Sequence, residues 1–106
     1  MELQGTEPSY HISEAVAKKL KEKHSVSEIE VVQCFRNRQG KYAYDTRPEH
    51  QTGIDTPTLW FIAETAAGRR MKVTFMRYTK TDYVIKSAYP PNDDEERLYQ
   101  SYKDRE

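Results

Sequence analysis

Four cations of this chain are placed where they could act together on negative charge. Arg69, Arg70 and Lys72 follow Gly68, and Lys86 lies on the next β-patterned stretch. Arginine holds negative charge well because its planar fork is always protonated and grips two oxygens at once. Glu64 is the carboxylate nearest to these cations. His24 is an imidazole able to give or take a proton near neutral pH. Trp60 and Tyr89 offer flat rings on which a partner could stack. Each residue also has a plainer reading. Lys72 and Lys86 on strands equally describe a solvated face, and Glu64 opposite Arg70 an ordinary cross-strand pair worth about 0.2–1 kcal/mol. His24 fits a helix C-terminal cap, and Trp60 fits a protein-interface anchor. His11 and His50 sit in polar surroundings and receive no role.

Other chemistries lack their residues. A single cysteine, Cys34, excludes an internal disulfide and any multi-thiolate metal site, and it reads as a small buried hydrophobe. His-x-x-x-His, a phosphate loop and Gly-x-Ser-x-Gly are all missing, and the 4 glycines stand singly. No cofactor and no metal is expected. The acidic run Asp93 to Glu96 reads as a complement to a helix N-terminus, not as a calcium loop.

The elements that must position these groups follow from periodicity. Ser13 caps a first helix to about residue 23, with Val16 and Leu20 on one face. Ser27 and Glu30 form a capping box for a second helix over 28–36, predicted to bury Ile29, Val32 and Phe35, with Val26 and Val31 as its staple. A short strand is expected within 41–45. Stretches 58–65, 70–78 and 83–88 are aromatic and β-branched, and turn signals separate them. If Glu64 pairs with Arg70, Phe61 faces Val73 and Leu59 faces Phe75. The same parity across the next hairpin sets Phe75 beside Ile85. Trp60, Ile62, Glu64, Arg70, Lys72, Thr74, Met76, Val84 and Lys86 then share the opposite face. Asn92 and Glu95 open a closing helix to about residue 102. The expected fold is α+β: two N-terminal helices, about four mostly antiparallel strands and a C-terminal helix. One face is expected under the helices, the other left amphipathic, basic and open.

With 106 residues the chain suffices for one domain, 1–106, with 1–9 and 104–106 expected to fray. Residues 47–57 read as a long loop. The 17 Lys+Arg balance 17 Asp+Glu. Bulk charge therefore cannot coat nucleic acid, while a local basic face still can. Hydrophobic residues are 36% and charged residues 32%, which predicts a small core under a charged shell. Aromatics at 11% within periodic segments argue for a folded chain. No apolar run nears the ~20 residues that span a bilayer. A cytoplasmic protein without membrane association is expected.

Several pieces, in this order, resemble the BrnT family of small bacterial toxins. They are Lys23-His24-Ser25-Val26-Ser27, then Asp45-Thr46-Arg47, then Gly68-Arg69 before a Val-rich strand, then Ile85-Lys86-Ser87-Ala88 and a helix with Glu95 or Glu96 and Tyr99. The likeness spans about residues 16–99. Ser25 stands where the family has glycine, and Tyr89 where it has arginine after Ser-Ala. The resemblance implies a RelE-like ribonuclease fold of a toxin–antitoxin system, acting on RNA and neutralised by an antitoxin protein. A homodimer stays open.

Metal-free RNA cleavage needs a base for the 2′-hydroxyl, an acid for the leaving oxygen and cations for the phosphorane charge. On that basis His24, Glu64, Arg69, Arg70, Lys72 and Lys86 are the expected catalytic set. Trp60, Arg47 and Tyr89 are the expected RNA-binding set, although Asp45 and Arg47 also suit a loop-ordering pair. The alternative is a catalytically silent protein-binding or regulatory module on the same fold, which zero net charge and Tyr89 favour. Similar short bacterial proteins carry the label ADP-ribosyl-(dinitrogen reductase) hydrolase. That third reading is the weakest, since the chain lacks the clustered aspartates such chemistry uses.

Overall fold

The structure, a computed structural model, describes residues 7–45 and 56–103. The element order is β1 (Ser9–His11), α1 (Glu14–His24), α2 (Glu28–Asn37), β2 (Ala43–Tyr44), β3 (Thr58–Glu64), β4 (Arg70–Arg77), β5 (Asp82–Tyr89) and α3 (Asp93–Lys103). The strands form one sheet in the order β1-β5-β4-β3-β2. The α+β class stands as expected, with a fifth strand added. That strand is β1, which lies parallel to β5 with Tyr10 beside Tyr83. Residues 7–9 are therefore engaged, not frayed. Ser9 N–H donates to Thr81 O at 2.6 Å, and the Glu7 carboxylate meets Arg36 at 2.9 Å. Residues 1–6, 104–106 and most of the loop expected at 47–57 lie outside the described residues.

Local signals start the helices as read. Ser13 Oγ accepts the Val16 N–H, and Ser27 and Glu30 complete their reciprocal capping box. In α2 the buried stripe is Val31, Cys34 and Phe35. Ile29, expected inside, is 67% exposed because it lies off that stripe. Burial pushes the Cys34 thiol up to about 12, so no thiolate forms near neutral pH. Ser25 ends α1 in the left-handed region at φ 54°, with Val26 N–H returning to Leu20 O at 3.0 Å. Such a position favours glycine, since a Cβ there costs about 1–2 kcal/mol.

The β3–β4 hairpin has the expected register: Glu64 opposite Arg70, Phe61 opposite Val73 and Leu59 opposite Phe75. Its turn uses Gly68 at φ 86°. Phe75 also meets Ile85, but the next pair along is Thr74 with Ser87, so a bulge intervenes. Lys86 is the extra residue, and strict alternation ends there. Ala88 consequently turns into the core opposite Val73, and Tyr89, not Lys86, comes to stand beside Lys72.

Leu20, Phe35, Phe61, Val73, Phe75, Tyr83, Ile85 and Ala88 fill the core between the sheet and α1–α2. Phe35 is the hub of its rings, with centroids 4.7 Å from Phe61 and 5.0 Å from Phe75. The other face is not open. Helix α3 crosses it and closes a second layer, with Tyr99 5.5 Å and Tyr102 6.3 Å from Trp60. The charged composition of α3 hid this. Tyr99 is buried, while Leu98, read with it as one apolar set, is about half exposed.

Candidate functional site

Helix α3 begins where two Glu side chains can reach β4. Asn92 caps it, its Oδ1 accepting from Glu95 N–H at 2.8 Å while its own N–H donates to Glu95 Oε1 at 3.0 Å. That reciprocal pair aims Glu95 down at the sheet. Its Oε2 accepts from Lys72 Nζ at 2.9 Å and from the Tyr89 hydroxyl at 3.1 Å. One turn edge away, Glu96 grips Arg70 with two bonds of 2.7 and 2.8 Å, and Glu64 lies 3.6 Å from the same guanidinium.

Lys72 is 5% exposed and Trp60 4%. The ammonium sits 4.8 Å from the Trp60 ring centroid and 5.7 Å from that of Tyr89. Burying a lysine head is costly unless an anion and ring faces replace its water. Here both do. Burial alone would raise the Glu95 pKa, but the Asn92 N–H, Lys72 and Tyr89 together hold it below the ordinary 4.5. Arg70 holds Glu96 low as well.

The remaining expected residues meet the edge of this cluster. His24 packs on Tyr89, ring centroids 5.6 Å apart. Arg69 donates to the carbonyls of His24 at 2.6 Å and Ser25 at 2.8 Å, with Glu30 3.9 Å away. Arg69, not the His24 ring, thus holds the carbonyls at the end of α1, and His24 packs its ring on Tyr89. His24, Arg69, Arg70, Lys72 and Tyr89 are brought to one end of the sheet, where α1, β4, β5 and α3 meet.

Three expectations are corrected. The second sheet face is not an exposed basic surface: α3 covers Lys72 and Trp60, so the indole cannot serve as a stacking platform for RNA in this arrangement. Lys86 lies on the strand next to that of Lys72, as expected, but exposed at a bulge that breaks the expected register, so that Tyr89 is the residue paired with Lys72. Glu64 is not the carboxylate that serves Lys72; it stands at the hairpin end with Arg70, and Glu95 takes that place. Arg47 lies outside the described residues. Glu95 was hidden by an acidic run that reads equally well as helix-end complementarity, although its capping spacing from Asn92 was a usable signal.

Among the described residues no group of three or more His, Cys, Asp or Glu could hold a metal ion, and no helix is long and apolar enough to cross a membrane. Compared with family models, curated proteins and solved structures, the chain finds no match.

Proposed function

We propose that the chain is a BrnT-like endoribonuclease toxin of the cytoplasm, cleaving RNA without a metal and neutralised by an antitoxin. The observation that supports this is one connected cluster drawn from α1, β4, β5 and α3: Glu95 holds Lys72 and Tyr89, His24 packs on Tyr89, and Arg70 is held beside them by Glu96. Lys72 and Arg70 fit the charge of the phosphorane. Glu95, freed from Lys72 by the substrate phosphate, suits the base that takes the 2′-hydroxyl proton, and His24 suits the acid that protonates the leaving 5′-oxygen. The attacking 2′-oxygen then bonds to phosphorus as the P–O5′ bond breaks, leaving a 2′,3′-cyclic phosphate. A substrate phosphate must take the places of Glu95 and Glu96 on the two cations. The N-terminal turn of α3 has to yield for that to happen.

The test is end-labelled RNA with purified protein in chelator, alongside growth after induction in bacteria. Expected are cyclic-phosphate ends, growth arrest, and a rate loss of about 100-fold or more for His24→Ala and for Lys72→Met. Intact RNA together with unimpaired growth overturns the reading. A second reading, a catalytically silent protein-binding module, is favoured by the saturation of the cluster: Lys72, Arg70 and Arg69 each already hold a carboxylate or carbonyl. It predicts intact RNA and unimpaired growth, with a partner protein bound stoichiometrically.

A further inference from the structure

Beyond Arg70, away from His24, the surface opens into a cleft of about 690 Å³. That size lies within the ~300–1,000 Å³ of ordinary ligand sites. The end of α2, the β3–β4 turn and Tyr99 of α3 form its walls, and Arg36, Arg38 and Arg70 line it against the single carboxylate of Glu64. Arg70 belongs to both places, lining the cleft with one side and meeting Glu96 in the cluster with the other.

The three arginines are not equally committed. Arg36 is largely exposed and holds Glu7 through two bonds of 2.9 and 3.1 Å, a pairing that water screens and a phosphate can replace. Arg38 has no carboxylate partner among the described residues. Its Nη1 donates to Gly40 O, and its guanidinium lies 4.0 Å from the Tyr42 ring centroid. Its Nε is shielded from water and has no acceptor among the described residues. A charged donor left in that condition is uncommon. A phosphate against the Nε edge, reached by a small turn of the fork, supplies the missing acceptor with two-point geometry.

Spacing relates the cleft to the cluster. Arg70 and Lys72 lie on one face of β4, about 7 Å apart along the strand. Successive phosphates of an extended polynucleotide are separated by a similar step. We propose that the cleft is a phosphate subsite, in which Arg38 and Arg36 hold a backbone phosphate of single-stranded RNA next along from those engaged by Arg70 and Lys72. The choice of RNA rests on the ribonuclease reading; the anion site rests on the arginines alone.

The test is fluorescence anisotropy of a labelled, uncleavable 2′-O-methyl oligouridine, bound to the full chain over a range of salt. Arg38→Gln is expected to weaken binding several-fold and to reduce the slope of log K against log salt by about 0.7, one single-strand phosphate contact. Arg38→Lys keeps the charge and is expected to retain the slope. Arg36→Gln, at an exposed position, reads the same slope if loss of the Tyr42 contact unfolds the Arg38 variant. Unchanged affinity and slope in the folded Gln variants overturn the subsite, even if the wild-type chain cleaves RNA. A wild-type chain that leaves ordinary RNA intact, yet loses the slope with Arg38→Gln, keeps the subsite and sinks the ribonuclease. Failure to bind the oligouridine at all overturns the subsite.

Discussion

Under α1 and α2 the sheet meets carbon. Phe61, Val73 and Phe75 are fully buried, and six rings from Tyr10 to Tyr83 interlock there. Under α3 the same strands meet an indole, a phenol and two cation–carboxylate pairs. Alternating residues of single strands feed both layers, so Lys72 and Val73 are chain neighbours with opposite tasks. The first layer gains from removing apolar surface from water, a force without direction. The second depends on geometry, since a buried charge is tolerated only while its partner stays in place. A layer of the first kind is suited to holding a fold, and one of the second kind to being opened by a competing anion.

Phe75→Ala should strike the carbon layer hardest, lowering stability by about 3–5 kcal/mol in urea unfolding. Lys72→Ala should cost less, about 1–3 kcal/mol, because Glu95 keeps some access to water once unpaired. Lys72→Met combined with Glu95→Leu should recover most of that loss. A double variant as unstable as Lys72→Ala would show that the α3 layer depends on more than its ion pair.

Acid separates the layers without mutation. Glu95 and Glu96 have folded-state pKa values below 4.5, so they bind fewer protons folded than unfolded. Their contribution is fully present above 4.5 and is lost as pH falls through the lower folded values. Trp60, the single tryptophan, lies under α3 and reports it directly. Its emission should move to longer wavelength below pH 4.5, before the far-ultraviolet circular dichroism of the sheet collapses. Simultaneous loss of both signals would mean that the two layers unfold as one.

Ser25→Gly should raise thermal stability by about 1 kcal/mol, because it removes a Cβ from a left-handed residue. The gain should leave the Trp60 acid transition unmoved, which separates the α1 end from both layers. Lys86→Ala should stay within about 0.5 kcal/mol of wild type, as Lys86 is an exposed residue at the bulge.

The carbon layer was legible because period-two alternation and turn glycine act locally. The Glu64–Arg70 register, the Ser27–Glu30 box and the apolar face of β3 and β4 all follow from neighbours in the chain. The bulge at Lys86 was not legible, since one inserted residue leaves no composition signal and Ser87 and Ala88 suit either face. Nor was the docking of α3: Tyr99 and Tyr102 are too few to mark a buried stripe among so many charges, and the anions that neutralise Lys72 and Arg70 arrive from more than 20 residues away. Strand β1 was missed because three residues carry no reliable period. At the site, types and approximate places were readable for His24, Arg69, Arg70, Lys72 and Tyr89, whereas the task of Glu95 in joining Lys72 to Tyr89 was not.

The parallel pairing of β1 with β5 bears on how the polypeptide is made. His11 and Asp82 bond at 3.1 Å across 71 positions of sequence. During translation the first strand leaves the ribosome long before its neighbour is synthesised. Until Asp82 emerges, Tyr10 has no β5 to join, and the β5 edge that β1 covers does not yet exist. Helices α1 and α2 and the β3–β4 hairpin can form in turn as they appear. The sheet acquires its β1 border only once β5 has been synthesised.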